Sequence, residues 1–197
     1  VKDMHLESHP IEIYQLRIWL KYISPMIWRR LLVKSSDKLS DLYHYIQIAM
    51  GWEGIHLHQF IIRGITADEE KILGDFHFHA NERFIYEYDF FAHWEHEVRI
   101  EKKFSAHKNT FYPLCTGGNR MAPPEDCGGS SRFLSLEDYY KPFNMMFTLI
   151  EAVEECESGE REEEELDEII SQFKEWQSRP TFNRETINNQ LQQYAYR

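Results

Sequence analysis

The sequence predicts a single α+β domain over residues 1–197, an antiparallel or mixed sheet of aromatic-rich hairpins packed by several helices. Three observations predict it. Period-two alternation recurs through the first half of the chain, 3.6-residue spacing governs the second half, and 197 residues suit one core. Aromatic residues make up 15% of the chain, so the core should be built largely from rings, which bury large areas each.

Residues 11–22 (IEIYQLRIWLKY) alternate, with Tyr14, Leu16, Ile18, Leu20 and Tyr22 on one side and Gln15, Arg17, Trp19 and Lys21 on the other. Successive side chains of a strand leave opposite faces, so this is a half-buried strand. Ser24-Pro25 marks a turn, and residues 27–33 (IWRRLLV) form a second strand able to pair back on the first. Residues 38–50 switch to helical spacing, with Leu39, Leu42, Ile46 and Met50 on one face, Asp37 as N-cap and Gly51 as stop. A third strand covers 57–62, and a short one is expected at 76–79 (FHFH). Residues 84–90 and 94–101 both alternate around a turn at Phe91-Ala92-His93, which makes a hairpin. Residues 105–130 have no period and hold Pro113, Pro123, Pro124 and four glycines. They read as an irregular loop ordered by Phe111, Tyr112, Cys115, Met121 and Cys127. Helices follow near 135–157, 162–178 and 183–195, the last capped by Asn183 or Thr181.

Charge is concentrated. Residues 151–168 hold eleven acids and one Arg, a net −10 of the chain's −11. They read as an acidic helical insertion within the domain, suited to a basic protein partner. The remainder is near neutral, so it lacks the broad basic surface behind non-specific nucleic-acid binding. No apolar run is long enough to span a membrane. The polar start VKDMHLESHP shows no secretory signal, and three cysteines without regular spacing imply a reducing, cytoplasmic setting. A Cys115–Cys127 bridge is the alternative in an oxidising one.

The landmarks, in order, are PMIWRR (25–30), LSDLYHYIQIAMGW (39–52), HLHQF (56–60), FIYEYDFFAHWEH (84–96), YPLCTGGNRMAPPEDCGG (112–129) and FNRETINNQL (182–191). In these the chain resembles the plasmid pRiA4b ORF-3-like family. The resemblance implies an α+β fold and a link to mobile elements, since members travel as passengers of insertion elements, some under the resolvase name TnpR. It implies no chemistry. Two departures stand out. Phe91-Ala92 replaces the Gly-Asp usual in the family, and the acidic stretch is longer.

Candidate site residues lie around the hairpin and the proline loop. Glu125 and Asp126 follow two stiffening prolines and precede Cys127-Gly128-Gly129. They would form a cation or acid/base site, or else cap backbone N–H groups and hold the loop onto the hairpin. His56 and His58, like His77 and His79, are i, i+2 pairs that share a face in a strand and would chelate a divalent metal. Asp89, His96 and Cys127 would complete such a site, although no spacing compels it. Cys115 and Cys127 lack zinc-finger spacing. Arg29 and Arg30 would reach a phosphate or Asp126, or form a structural carboxylate pair. The loop is expected to fold over the hairpin end and meet one of them. Trp52 and Trp94 read as core or wall.

No nucleotide cradle, H-E-x-x-H or G-x-S-x-G is present, and no arginine cluster accompanies a recombinase nucleophile. Enzymatic activity is therefore left open. The first reading is a non-catalytic binding or accessory module of mobile elements. The alternative is a metal-dependent hydrolase or nucleic-acid-processing enzyme built on the His/Asp/Glu residues near the hairpin and loop.

Overall fold

The computed structural model describes residues 11–196; the polar start read for a secretory signal lies outside them. One seven-stranded sheet organises the chain, in the order β4-β3-β5-β6-β1-β2-β7. Its strands are β1 (Glu12–Leu20), β2 (Trp28–Lys34), β3 (His58–Ile62), β4 (Ile65–Thr66), β5 (Arg83–Tyr88), β6 (Trp94–Ser105) and β7 (Leu114–Asn119). Every pairing is antiparallel. The helices are α1 (Leu39–Met50), α2 (Gly129–Tyr139), α3 (Pro142–Ser158), α4 (Glu163–Ser178) and α5 (Arg184–Ala195). This is an α+β single domain, and no helix among the described residues is long and apolar enough to cross a membrane.

The main core lies on one face of the sheet, and Ile13, Leu32 and Tyr112 form a small buried cluster apart from it. Tyr14, Leu16, Ile18 and Leu20 of β1 join Phe84, Tyr86 and Tyr88 of β5 and Trp94, Val98 and Ile100 of β6. Onto them α1 lays Leu39, Leu42, Ile46 and Met50, and α5 adds Ile187 and Leu191. Each such side chain contributes about 1.5–3 kcal/mol by leaving water. The opposite face carries Gln15, Arg17, Trp19, Trp28 and Arg30, bound by side-chain pairs such as Arg30–Glu101.

Several elements depart from the pattern. Tyr22 continues the alternation of β1 but is exposed, because φ 66° breaks the strand there. Asp37 does not cap α1; its carboxylate accepts the Lys34 N–H and the Tyr45 hydroxyl, while Asp41 accepts the Lys38 N–H from inside the helix. The FHFH segment is not a strand. A 3-10 turn at Leu73–Phe76 runs into His77 at φ 48°, and Phe78 alone plugs the core. The helix expected over 135–157 is two helices, since Pro142 holds Lys141 extended at ψ 137°.

The largest departure is β7 inside the supposedly irregular loop. Gly117 and Gly118 give it no side-chain period. Gly118 is needed because a ring lies against the strand: a Cβ there would sit 2.5 Å from Phe182, whereas one on Gly117 would make ordinary contact with Trp28 at 3.5 Å. Asn183 caps α5 as expected, accepting the N–H groups of Glu185 and Thr186. The acidic residues fall on the end of α3 and the start of α4, turned at Gly159, and Arg161 sits among them 2.7 Å from Glu155.

Candidate functional site

The proline loop does fold over the hairpin end. The Trp52 indole N–H donates to the Pro123 carbonyl and the Trp94 indole N–H to the Glu125 carbonyl, each at 2.9 Å. Two buried rings thus fix the backbone on either side of Pro124. The Glu125 carboxylate accepts the backbone N–H of Glu53 at 2.7 Å, that of Gly54 at 3.2 Å, and the Tyr88 hydroxyl. Tyr88 in turn accepts the His56 N–H at 3.2 Å. Burial, then Glu125, pushes the Tyr88 phenol well above its ordinary range.

Beside this, His56 Nε2 lies 2.8 Å from Asp126 and 3.9 Å from Asp89. The hydrogen bond to Asp126 raises the His56 pKa. Asp89 stands at φ 54° and closes the hairpin turn by accepting the N–H groups of Phe91 and Ala92. The Phe91-Ala92 departure leaves that turn whole. Phe91 is 99% exposed, and Ala92 meets the loop through its own backbone, 2.1 Å from where a Cβ on Gly129 would stand.

The other candidates lie elsewhere. His58 stacks on Tyr43 at 3.8 Å and sits 3.0 Å from Glu69. His96 is fully buried between Trp52 and Tyr86, held through Nδ1 to the Trp94 carbonyl, and burial pushes its pKa down to about 4. Cys127 turns into the packing and burial pushes its thiol up to about 11. All three cysteines are free, so no Cys115–Cys127 bridge forms. His77 and His79 are exposed and share no strand face. Among the described residues, no three His, Cys, Asp or Glu side chains are placed to hold a metal ion.

Neither arginine meets the loop acids. Arg30 leaves on the outer face and forms a bidentate pair with Glu101, at 2.6 and 3.0 Å. Arg29 points the other way, 2% exposed, and donates only to carbonyls: Ala49 at 2.7 Å, Trp28 at 2.8 Å and Asn119 at 3.1 Å. Ala49 belongs to the last turn of α1, whose carbonyls have no helical partner and carry partial negative charge. Burial draws the Arg29 pKa down to about 10, which leaves it charged at neutral pH.

Arg29 lies on the wall of a cleft of about 840 Å³. The cleft runs between the end of α1 and the residues after it (Met50, Trp52), the proline loop (Met121–Glu125), and the end of α4 with the α4–α5 connection (Trp176, Arg179, Phe182). Four of the six landmark segments, far apart in sequence, meet on it. Sequence reasoning found Arg29, Trp52 and Glu125 but missed Trp176, Arg179 and Phe182. The motif FNRETINNQL was a signal for the last of these.

The chain matches the plasmid pRiA4b ORF-3-like protein family over residues 12–190. It belongs to that family. The uncharacterized protein y4hQ of Sinorhizobium fredii (strain NBRC 101917 / NGR234) is 32% identical to this pRiA4b ORF-3-like chain over 131 residues, 59% of this chain and 67% of that one. The crystal structure of MM3350 from Methanosarcina mazei Go1, a protein of unknown function, superposes with a TM-score of 0.63. It is 33% identical and covers 68% of this chain and 84% of its own.

Proposed function

We propose that this pRiA4b ORF-3-like protein is a non-catalytic binding module whose ligand enters the cleft beside the proline loop. The observation that carries this reading is the convergence of four landmark segments on one cavity, with a buried, carboxylate-free guanidinium in its wall. Concave, mostly apolar sites with a few fixed polar groups are where small ligands bind. The loop acids, by contrast, are engaged in holding the fold, which leaves Glu125 no free oxygen for acid/base work. A fragment soak of crystals tests the reading. Density is expected between Trp52 and Phe182; hits confined to other surfaces would contradict it.

An accessory role needs a partner surface, and α3 supplies one. Phe143, Met146, Phe147, Ile150 and Val153 are exposed along one stripe, flanked by Glu151, Glu154 and Glu157. An apolar stripe with an acidic margin suits a basic amphipathic helix of another protein. Such a partner would belong to the mobile-element machinery that the family resemblance suggests, in a cytoplasm that keeps the thiols reduced. Capture from host lysate should yield a basic protein that Phe147→Glu releases. Equal capture by the variant would remove this surface.

A further inference from the structure

We infer that the cleft takes a small organic anion with an aromatic body, its carboxylate or phosphate seated on Arg29 and its ring against the Trp52–Phe182 walls. This rests on the cleft being a ligand site, and it names the ligand's class.

The anion follows from unspent donors. A guanidinium has five N–H groups in a fixed fork. Arg29 spends one from Nε and two from Nη1, all on backbone carbonyls. Among the described residues, its Nη2 has no protein acceptor and no carboxylate pairs with it. The Phe182 ring, 4.8 Å from the guanidinium carbon, is its other companion. A buried charge without a counter-ion is costly, and an incoming anion would offset that cost with a charge-assisted hydrogen bond from Nη2. A second guanidinium lines the same space. Arg179 lies flat on Trp176 at 3.3 Å and, among the described residues, makes no salt bridge and has a buried Nη1 without an acceptor.

The cleft's own acids, Glu125 and Glu175, form no salt bridge with either arginine among the described residues. Glu125 has both oxygens engaged by Tyr88 and two backbone N–H groups, and Glu175 is exposed. Arg179 and Arg29 therefore favour a negative guest over a cationic one.

The aromatic body follows from the walls. Trp52 has given its indole N–H to Pro123, so only ring surface is left to offer. Phe182, Met50 and Met121 add apolar surface, and Tyr140 extends the Trp176–Arg179 stack from a centroid distance of 4.8 Å. The space of about 840 Å³ falls within the span of small-molecule pockets, roughly 300–1,000 Å³.

Calorimetry on the full chain tests this with four probes: 1-naphthoate, 1-naphthyl phosphate, neutral 1-naphthamide and inorganic phosphate. At least one naphthyl anion should bind about tenfold or more tighter than the amide, as one charge-assisted hydrogen bond would give. Which of the two binds better separates a carboxylate from a phosphate ligand. Inorganic phosphate alone should bind more weakly than either naphthyl anion. The Arg29 Nε–H signal in nitrogen-15 spectra of the unaltered protein should move with the anion, a readout that survives if Arg29→Met fails to fold. Arg179→Met should weaken the anion several-fold and leave the amide unchanged. Equal binding of anion and amide in the cleft would overturn the anion inference and leave the ligand site standing. Inorganic phosphate binding as tightly as naphthyl phosphate would overturn the aromatic body. No cleft binding by any probe would overturn both the inference and the reading beneath it.

Discussion

The Tyr88 hydroxyl donates to the Glu125 carboxylate, tying the end of β5 to the proline loop 37 residues downstream. That bond, with the two backbone N–H groups on the same carboxylate, makes Glu125 a clamp. Removing it as Glu125→Ala strands three donors and should lower unfolding free energy by about 2–4 kcal/mol, since hydrogen bonds to charged groups are worth about 1.5–3 each and neighbours relax. Tyr88→Phe should cost about 1–2 kcal/mol. Urea titration of both single variants and the double variant should show non-additivity of at least about 0.5 kcal/mol. Additive losses would mean the two groups do not act together.

His96 predicts an acid-labile core. Its pKa is depressed to about 4 by full burial, against about 6.5 in an unfolded chain. The stability tied to its neutral form is therefore present above pH 6.5 and is lost as pH falls from there toward 4. At about 1.4 kcal/mol per unit the loss is on the order of 3 kcal/mol. Denaturant midpoints measured from pH 7 to pH 4 should fall accordingly. His96→Phe should flatten that part of the profile, and a profile unchanged by the substitution would place the acid sensitivity elsewhere.

His56 has the opposite sign. Its pKa is raised, chiefly by the hydrogen bond to Asp126, so the pair supports the docked loop at lower pH. That support is complete below about pH 6.5 and fades as pH rises through the raised value. Asp126 is largely exposed, so the pair is worth under about 1 kcal/mol and weakens in salt. Proton NMR should place the His56 titration above that of an unperturbed histidine, and Asp126→Asn should bring it down. Coincident curves would show that the pair does not form in solution.

Gly129 predicts intolerance of a methyl group. Its φ is +89°, and a Cβ there would lie 2.1 Å from the Ala92 carbonyl oxygen. Gly129→Ala should destabilise by about 2 kcal/mol or more, combining backbone strain with displacement of the hairpin turn. Gly51→Ala has open space around it and should show the conformational cost alone, about 1 kcal/mol. Thermal melts of the two side by side separate contact from strain.

The sheet was readable where side chains alternate. β1, β5 and β6 bury one face and wet the other, so period two survives in the letters. It failed at β7, where glycine removes the period and the covering rings come from β2 and the α4–α5 connection. The clamp was half legible. Two prolines before two acids announced a fixed loop, and capping of backbone N–H groups was one of the two weighed roles. The donors Glu53, Gly54 and Tyr88 are set by tertiary packing that no local spacing encodes. Arg29 was singled out to reach a phosphate or Asp126, and the fold takes it away from the loop acid. A strand predicts that it and Arg30 part company, but only the fold shows that Arg30 takes Glu101 while Arg29 lines a cleft and, among the described residues, pairs with no carboxylate. The helices near 143–178 were legible as helices. The uncovered face of α3 was not, because an apolar stripe reads the same whether or not something lies on it.

Methyl NMR of carbon-13-labelled methionine is the most direct measurement of where this protein binds. Met50 and Met121 report on the cleft, Met26 on an exposed turn, and Met146 on α3. Titration with naphthyl anions should shift Met50 and Met121 together, saturably, and leave Met26 and Met146 in place. Shifts at Met146 alone, or at no methionine, would mean that the space beside Arg29 is only a gap between packed elements.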